Sequence, residues 1–96
     1  FSSAMAKILI VDDDVSLAKL FQFNLNKAGF DCSIAINAAE GFKLAHILSP
    51  DLIISDIMMP GTDGFEFRKM LLADSILRSI PFVFLTAKGN ENKKSW

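Results

Sequence analysis

The sequence has 96 residues, which is enough for one small domain. Its hydrophobic fraction of 51% and charged fraction of 22% are those of an ordinary globular protein that buries a modest core. A formal net charge of −1 argues against a nucleic-acid surface, and no apolar run approaches the roughly 20 residues that span a bilayer. Nucleic acid and membrane are therefore not expected as partners of this domain.

The amino-terminal segment FSSAMA has neither the basic region nor the apolar core of a secretory signal. We interpret residues 1–5 as an added, disordered leader ahead of a natural start near Met5, which leaves residues 6–96 as the domain. The single cysteine, Cys32, cannot form an internal disulfide and is expected to be a small core residue. The lack of a cysteine framework favours a cytoplasmic location.

Short apolar runs alternate with longer amphipathic segments. KILIV (7–11) predicts a strand that is buried on both faces. From Val15 to Ala28 the apolar residues recur at helical spacing, and Gly29 predicts the end of that helix. DCSIAI (31–36) predicts a second strand.

The second half of the chain repeats this alternation. AAEGFKLAHIL (38–48) predicts a helix, LIIS (52–55) a strand, GFEFRKMLLA (64–73) a helix and FVFL (82–85) a strand. The complete order β-α-β-α-β-α-β predicts an α/β fold, a parallel sheet with helices on both faces. Five phenylalanines are expected in the core, namely Phe21, Phe42, Phe65, Phe82 and Phe84, whereas Phe23 lies off the helix stripe and is expected to be exposed.

Polar residues follow three of the predicted strands. Asp12 and Asp13 follow the first strand, Asp56 follows the third, and Thr86 follows the fourth. The carboxyl ends of parallel strands lie at one edge of the sheet, where ligands of open α/β sheets bind. These four residues are therefore predicted to meet there.

Crowded carboxylates repel one another, and a hard divalent cation relieves the repulsion. Mg²⁺ prefers oxygen ligands and commonly takes one or two carboxylates together with waters and a phosphate oxygen. A carboxylate that faces an incoming phosphoryl group can also act as a nucleophile and form an aspartyl phosphate. The acidic edge therefore predicts a Mg²⁺ site with phosphoryl-transfer chemistry.

Three stretches and their mutual spacing resemble the receiver domains of two-component response regulators: KILIVDDD, LIISDIMMPGTDGFEF and IPFVFLTAK. The resemblance covers residues 6–96. It implies a flavodoxin-like, doubly wound parallel sheet with strand order 2-1-3-4, in which the fifth strand is missing and a fourth helix has only begun.

The resemblance also implies roles for individual residues. Asp56 matches the phosphoacceptor, Asp12 and Asp13 match the acidic pair that holds Mg²⁺, and Met58 supplies a backbone carbonyl to the metal. Thr86 matches the hydroxyl that moves toward the phosphoryl group. Pro60 and Gly64 match the loop leading into the third helix, and Asp14 is assigned no ligand role.

The chain departs from the family pattern at its end. Receiver domains continue through a fifth strand that ends in a lysine, and these 96 residues contain no counterpart; Lys88 is expected to point to solvent instead. We therefore expect Mg²⁺ binding but poor phosphorylation. The fourth strand would also be an unprotected edge, which predicts a homodimer formed through it.

The favoured function is a signalling switch that accepts a phosphoryl group on Asp56 from a sensor histidine kinase or a phosphotransfer protein. It is not an enzyme that turns over an external substrate. One alternative is a folding or scaffold fragment without signalling activity. Another is a Mg²⁺-dependent phosphotransferase, although Met58 stands where such enzymes carry a second acid. A flavin-binding domain is disfavoured, because DDDVS would repel a phosphate. His46 is interpreted as a structural histidine.

Overall fold

The computed structural model of the chain describes residues 5–85, which form one four-stranded sheet with helices on both faces. The elements in chain order are β1 (Lys7–Val11), α1 (Val15–Lys27), β2 (Asp31–Ala35), α2 (Ala38–Leu48), β3 (Leu52–Asp56), α3 (Gly64–Leu72), a 3₁₀ turn (Leu77–Ser79) and β4 (Phe82–Leu85). Every pairing is parallel, and the strand order is β2-β1-β3-β4. The predicted fold class and strand order are confirmed. The predicted start of a fourth helix lies outside the described residues, as do residues 1–4 of the expected leader.

The element boundaries follow the sequence closely. β1, α2 and β4 have the predicted limits, whereas α1, α3 and β2 each end one residue earlier than predicted. β3 is one residue longer than predicted, because Asp56 pairs with Leu85 of β4. Asp56 is therefore the last residue of the strand and not the first residue of the loop. Gly29 has a φ of 102°, which fits its expected place just after the end of α1.

Each of the three helices begins at a side-chain cap. Asp14, Asn37 and Asp63 accept hydrogen bonds from the backbone N–H groups of Leu17, Glu40 and Glu66, respectively. The 3₁₀ turn is preceded by Asp74, whose Oδ1 accepts hydrogen bonds from the N–H groups of Ile76 and Leu77. That turn was not predicted, because its start depends on this one side chain and not on a periodic pattern.

The core lies on both faces of the sheet. On the face of α2 and α3, Leu9, Val11 and Ile53 pack with Phe67 and Leu71. On the face of α1, Ile8 and Ile10 pack with Ala18 and Cys32, so the expected core position of Cys32 is confirmed. Successive residues of β1 point to opposite faces of the sheet, and both faces are buried because the strand is apolar along its length.

One predicted core phenylalanine is wrong. Phe65, the second residue of α3, is 54% exposed, because the face of α3 that meets the sheet is carried by Phe67. Leu20 on α1 is 55% exposed, since the helix presents Ala18 and Phe21 to the sheet and Leu20 lies to the side. Phe23 is 60% exposed, as predicted. The remaining predicted core phenylalanines, Phe21, Phe42, Phe82 and Phe84, are half-buried.

His46 links two parts of the fold. Its Nε2 atom lies 2.8 Å from Oδ2 of Asp74, and its ring contacts Phe42 edge-on. α2 is thereby tied to the segment that follows α3. This arrangement fits the structural role expected for His46, with a partner 28 residues away along the chain. None of the helices within residues 5–85 combines the length and hydropathy of a membrane span.

Candidate metal centre

Three carboxylates meet at the carboxyl edge of the sheet. Asp12, Asp13 and Asp56 each place one oxygen within 4.8 Å of the oxygens of the other two. Asp12 and Asp56 are buried, with 0% and 1% of their surface exposed, whereas Asp13 is exposed. The sheet therefore brings Asp56 next to Asp12 and Asp13, which lie more than 40 positions earlier in the sequence, because β1 and β3 are adjacent parallel strands.

The three consecutive aspartates after β1 have different surroundings. The N–H of Asp12 donates to the carbonyl of Ala35 at 3.0 Å, which extends the pairing of β1 with β2 past the end of the strand. Asp12 Oδ1 accepts from the N–H of Asp14 at 2.9 Å. Asp14 caps α1 through a 3.1 Å bond from the N–H of Leu17, which fits its exclusion from the ligand set. Asp13 is left facing the solvent side of the acidic cluster.

Gly64 fixes the loop that follows Asp56. Its N–H donates to the carbonyl of Ile57 at 2.8 Å. A Cβ at position 64 would collide with the carbonyl oxygen of Asp56 and approach Cα of Ile57 at 2.9 Å. Only glycine allows the start of α3 to lie this close to the end of β3, so the resemblance-based role of Gly64 has a steric basis.

The donor set fits a hard divalent cation. Mg²⁺ binds oxygens at about 2.0–2.1 Å and keeps several waters, so it needs few protein ligands that converge within about two bond lengths. Three carboxylate oxygens within 4.8 Å of one another approach that span. Asp13 is exposed, so the cluster reaches the solvent at this residue.

The remaining predicted site residues are Met58 and Thr86. The side chain of Met58 is 68% exposed, so its predicted contribution is limited to the backbone carbonyl. Thr86 and Lys88 lie outside the described residues, and their roles stay predictions.

Two features beside the cluster were not predicted from the sequence. A groove of about 450 Å³ runs along the loop after β3 and is lined by Ile57, Met58, Met59, Pro60, Asp63 and Phe65. Ser55 is fully buried next to Asp56. Its signal in the sequence was a single hydroxyl residue at the end of an otherwise apolar strand.

The fold and the acidic cluster together define an α/β domain with its candidate site at the carboxyl edge of the sheet. The family described as the response regulator receiver domain matches residues 8–95. The chain belongs to this family. Receiver domains are signalling domains and not classical enzymes, they bind Mg²⁺ at an acidic pocket, and response regulators act with histidine kinases or phosphotransfer proteins.

Curated relatives agree with this assignment. The chain is 41% identical over 90 residues to the DNA-binding dual master transcriptional regulator RpaA of Synechocystis, covering 94% of this chain and 37% of the relative. It is also 41% identical over 88 residues to the alkaline phosphatase synthesis transcriptional regulatory protein PhoP of Bacillus subtilis, covering 92% of this chain and 36% of the relative. The chain thus spans little more than a third of the length of these relatives.

Solved structures share the fold. The chemotaxis response regulator CheY4 of Vibrio cholerae superposes with a TM-score of 0.81 at 35% identity, covering 95% of this chain and 77% of that chain. The amino-terminal domain of a response regulator receiver protein from Methanoculleus marisnigri gives a TM-score of 0.82 at 28% identity, covering 96% and 79%.

Proposed function

We propose that this chain is a phosphoacceptor switch in which Asp56 accepts a phosphoryl group from a sensor histidine kinase or a phosphotransfer protein. Asp12, Asp13 and Asp56, with the backbone carbonyl of Met58, would hold Mg²⁺. The observation that carries the proposal is the convergence of three carboxylate oxygens within 4.8 Å at the ends of two neighbouring strands. Membership of the receiver family supports the same chemistry.

In the proposed reaction, a carboxylate oxygen of Asp56 attacks the phosphorus of a phosphohistidine. The new O–P bond gives an acyl phosphate, while the P–N bond breaks and the imidazole leaves and takes up a proton. Bound Mg²⁺ would supply neutralisation of the charge on the phosphoryl oxygens. Asp12 is held for its ligand role by the N–H of Asp14, and Thr86 is predicted to donate its hydroxyl to the phosphoryl group.

The 96-residue chain taken by itself is expected to be phosphorylated poorly. The lysine that receiver domains carry after a fifth strand has no counterpart in this sequence. A preorganised positive group at a phosphoryl transition state contributes on the order of several kcal/mol to catalysis. Mg²⁺ binding, which depends on the carboxylates, should survive without it.

The same chain is proposed to self-associate through β4. Among the described residues, β4 is the last strand of the sheet and pairs only with β3. Val83 is 46% exposed, and the ring of Phe84 lies 5.0 Å from the exposed ring of Phe65. An apolar edge strand without charges is a template for pairing with a second copy.

We further propose a cytoplasmic location for this domain. We also propose that it makes no contact with nucleic acid, which its net charge of −1 supports.

The experiment that tests the switch is labelling with a small acyl phosphate in Mg²⁺, followed by intact mass and hydroxylamine sensitivity. The expected result is slow, partial, Mg²⁺-dependent addition of one phosphoryl group, which Asp56→Asn abolishes. Asp63→Asn is the matched control, because Asp63 also lies at this loop but caps α3. Unchanged labelling of Asp56→Asn would contradict the proposal, and complete, stable labelling of the wild type would contradict the expected impairment alone.

A further inference from the structure

Ser55 is a hydroxyl residue buried in apolar surroundings. It precedes Asp56 in β3, has no exposed surface, and lies in register with Val11 of β1 and Phe84 of β4. A hydroxyl in such surroundings costs free energy unless it finds a hydrogen-bond partner. Ser55 Oγ finds it in the backbone carbonyl of Asp56, to which it donates at 2.9 Å.

The same carbonyl is confined from the side of α3. Cα of Gly64 lies so close that an added Cβ would collide with the Asp56 carbonyl oxygen. One residue further on, the carbonyl of Ile57 accepts from the N–H of Gly64 at 2.8 Å. Hydrogen bonds from Ser55 and Gly64 thus fix two consecutive carbonyls between the end of β3 and Met58.

The side chain of Ser55 and the carboxylate of Asp56 lie on opposite faces of β3. Ile53 packs in the cluster that contains Phe67, and Ile54 packs in the cluster that contains Ala18. Because successive strand residues point to opposite faces, Ser55 faces the layer of α2 and α3. The Asp56 carboxylate leaves from the opposite face, toward the acidic cluster with Asp12 and Asp13.

We propose that Ser55 is a positioning residue of the metal centre, an inference that rests on the proposed function. Its hydroxyl holds the peptide that joins Asp56 to Ile57, and this peptide influences the direction of the Asp56 carboxylate and, through the fixed carbonyl of Ile57, that of the Met58 carbonyl. Without the hydroxyl, the peptide has more orientations available, and the ligand oxygens spend less time in the arrangement that binds Mg²⁺.

The test measures the Mg²⁺ dissociation constant by calorimetry for Ser55→Ala, Ser55→Thr and Ser55→Val. Thr and Val have nearly the same shape, so this pair isolates the hydroxyl even if the added bulk lowers stability in both. Ser33→Ala on β2 is the matched control, a half-buried strand serine that lies in register with Leu9 of β1. Thermal melting in EDTA reports the stability of every variant.

The expected result is a dissociation constant about three- to tenfold weaker for Ser55→Ala and Ser55→Val, the factor that one net hydrogen bond supplies. Ser55→Thr should restore binding to near the wild-type value, and Ser33→Ala should not change it. Equal Mg²⁺ affinity of the Thr and Val variants would overturn the role of Ser55, while loss of binding in Asp56→Asn would still support the proposed function. Failure of the wild type to bind Mg²⁺ would overturn both.

Discussion

The backbone N–H of Asp14 donates to a carboxylate oxygen of Asp12 across 2.9 Å, so one aspartate of the acidic run orients another. Asp14 uses its own carboxylate elsewhere, as the cap of α1. Of the three consecutive aspartates, Asp12 and Asp13 therefore lie in the acidic cluster with Asp56, and Asp14 does not. This division makes Asp14 a natural control for every experiment on the cluster.

The metal-free cluster should be a source of electrostatic strain. Three carboxylates within 4.8 Å repel one another, so Asp13→Asn should stabilise the protein in EDTA by about 1 kcal/mol. For a domain of this size, that corresponds to a rise of roughly 4–8 °C in the melting temperature. Asp14→Asn keeps both the backbone donor and the helix cap, and should leave the melting temperature nearly unchanged. Adding Mg²⁺ should shrink the advantage of Asp13→Asn, and an equal gain in both variants would argue against repulsion.

The surroundings of Asp74 predict that part of the free energy of unfolding is lost at low pH. Desolvation raises the pKa of Asp74, but the N–H groups of Ile76 and Leu77 and the ring of His46 outweigh it and hold the pKa below its ordinary value. A carboxylate with a lowered folded pKa contributes stability above its unfolded pKa, near 3.9, and loses it as the pH falls through the folded value.

The measurement is the urea midpoint of wild type and Asp74→Asn between pH 7 and pH 2. Asn can still accept from the N–H groups of Ile76 and Leu77, so the comparison isolates the charge. The wild type should be more stable by a constant margin above about pH 5 and should lose that margin below pH 4. A stability difference that persists at pH 2 would rule out the negative charge of Asp74 as its source.

Cys32 should be an unreactive thiol. Desolvation by burial, with the nearby charge of Asp31, raises the pKa of Cys32 from 9.0 to about 11. The thiolate is the reactive form, so modification by an aromatic disulfide at pH 8 should be much slower in the folded protein than in urea. Because the folded state raises the pKa of Cys32, the neutral thiol contributes its full stability below pH 9. This contribution to the free energy of unfolding is lost as the pH rises toward 11. Equally fast modification of folded and unfolded protein would contradict the buried position.

The proposed pairing of two chains through β4 predicts a concentration-dependent dimer that one charge can prevent. Val83→Lys places an ammonium group on β4, where natural edge strands use lysine to block pairing. Val15→Lys is the matched control, because Val15 has a similar exposure, 41% against 46% for Val83, but lies at the start of α1. Sedimentation velocity should show a dimer for wild type and Val15→Lys, and a monomer for Val83→Lys. A wild type that stays monomeric at high concentration would exclude this interface.

The fold could be predicted from the sequence because its signals are local and agree with one another. KILIV is apolar throughout and forms a central strand, while Gly29 lies two residues after the last residue of α1. The placement of the acidic residues followed from one further rule, that parallel strands end at the same edge. That rule brought Asp12, Asp13 and Asp56 together without any local signal.

The features that the sequence does not reveal depend mainly on tertiary contacts that no local pattern contains. Phe65 and Phe67 are both phenylalanines near the start of α3, yet only Phe67 is buried in the core cluster. His46 has no acidic residue at helical spacing, and its partner Asp74 arrives from the far end of α3. Ser55 donates to the carbonyl of Asp56 within β3, whereas Gly64 approaches the same carbonyl only because the start of α3 meets the end of β3.

Calorimetric titration with Mg²⁺ tests most directly whether the three carboxylates form one metal centre. We expect one Mg²⁺ to bind per chain, with at least tenfold weaker binding in Asp13→Asn and in Asp56→Asn and unchanged binding in Asp14→Asn. Mg²⁺ affinity that is insensitive to the Asp56 substitution, or equally reduced by the Asp14 substitution, would contradict this expectation.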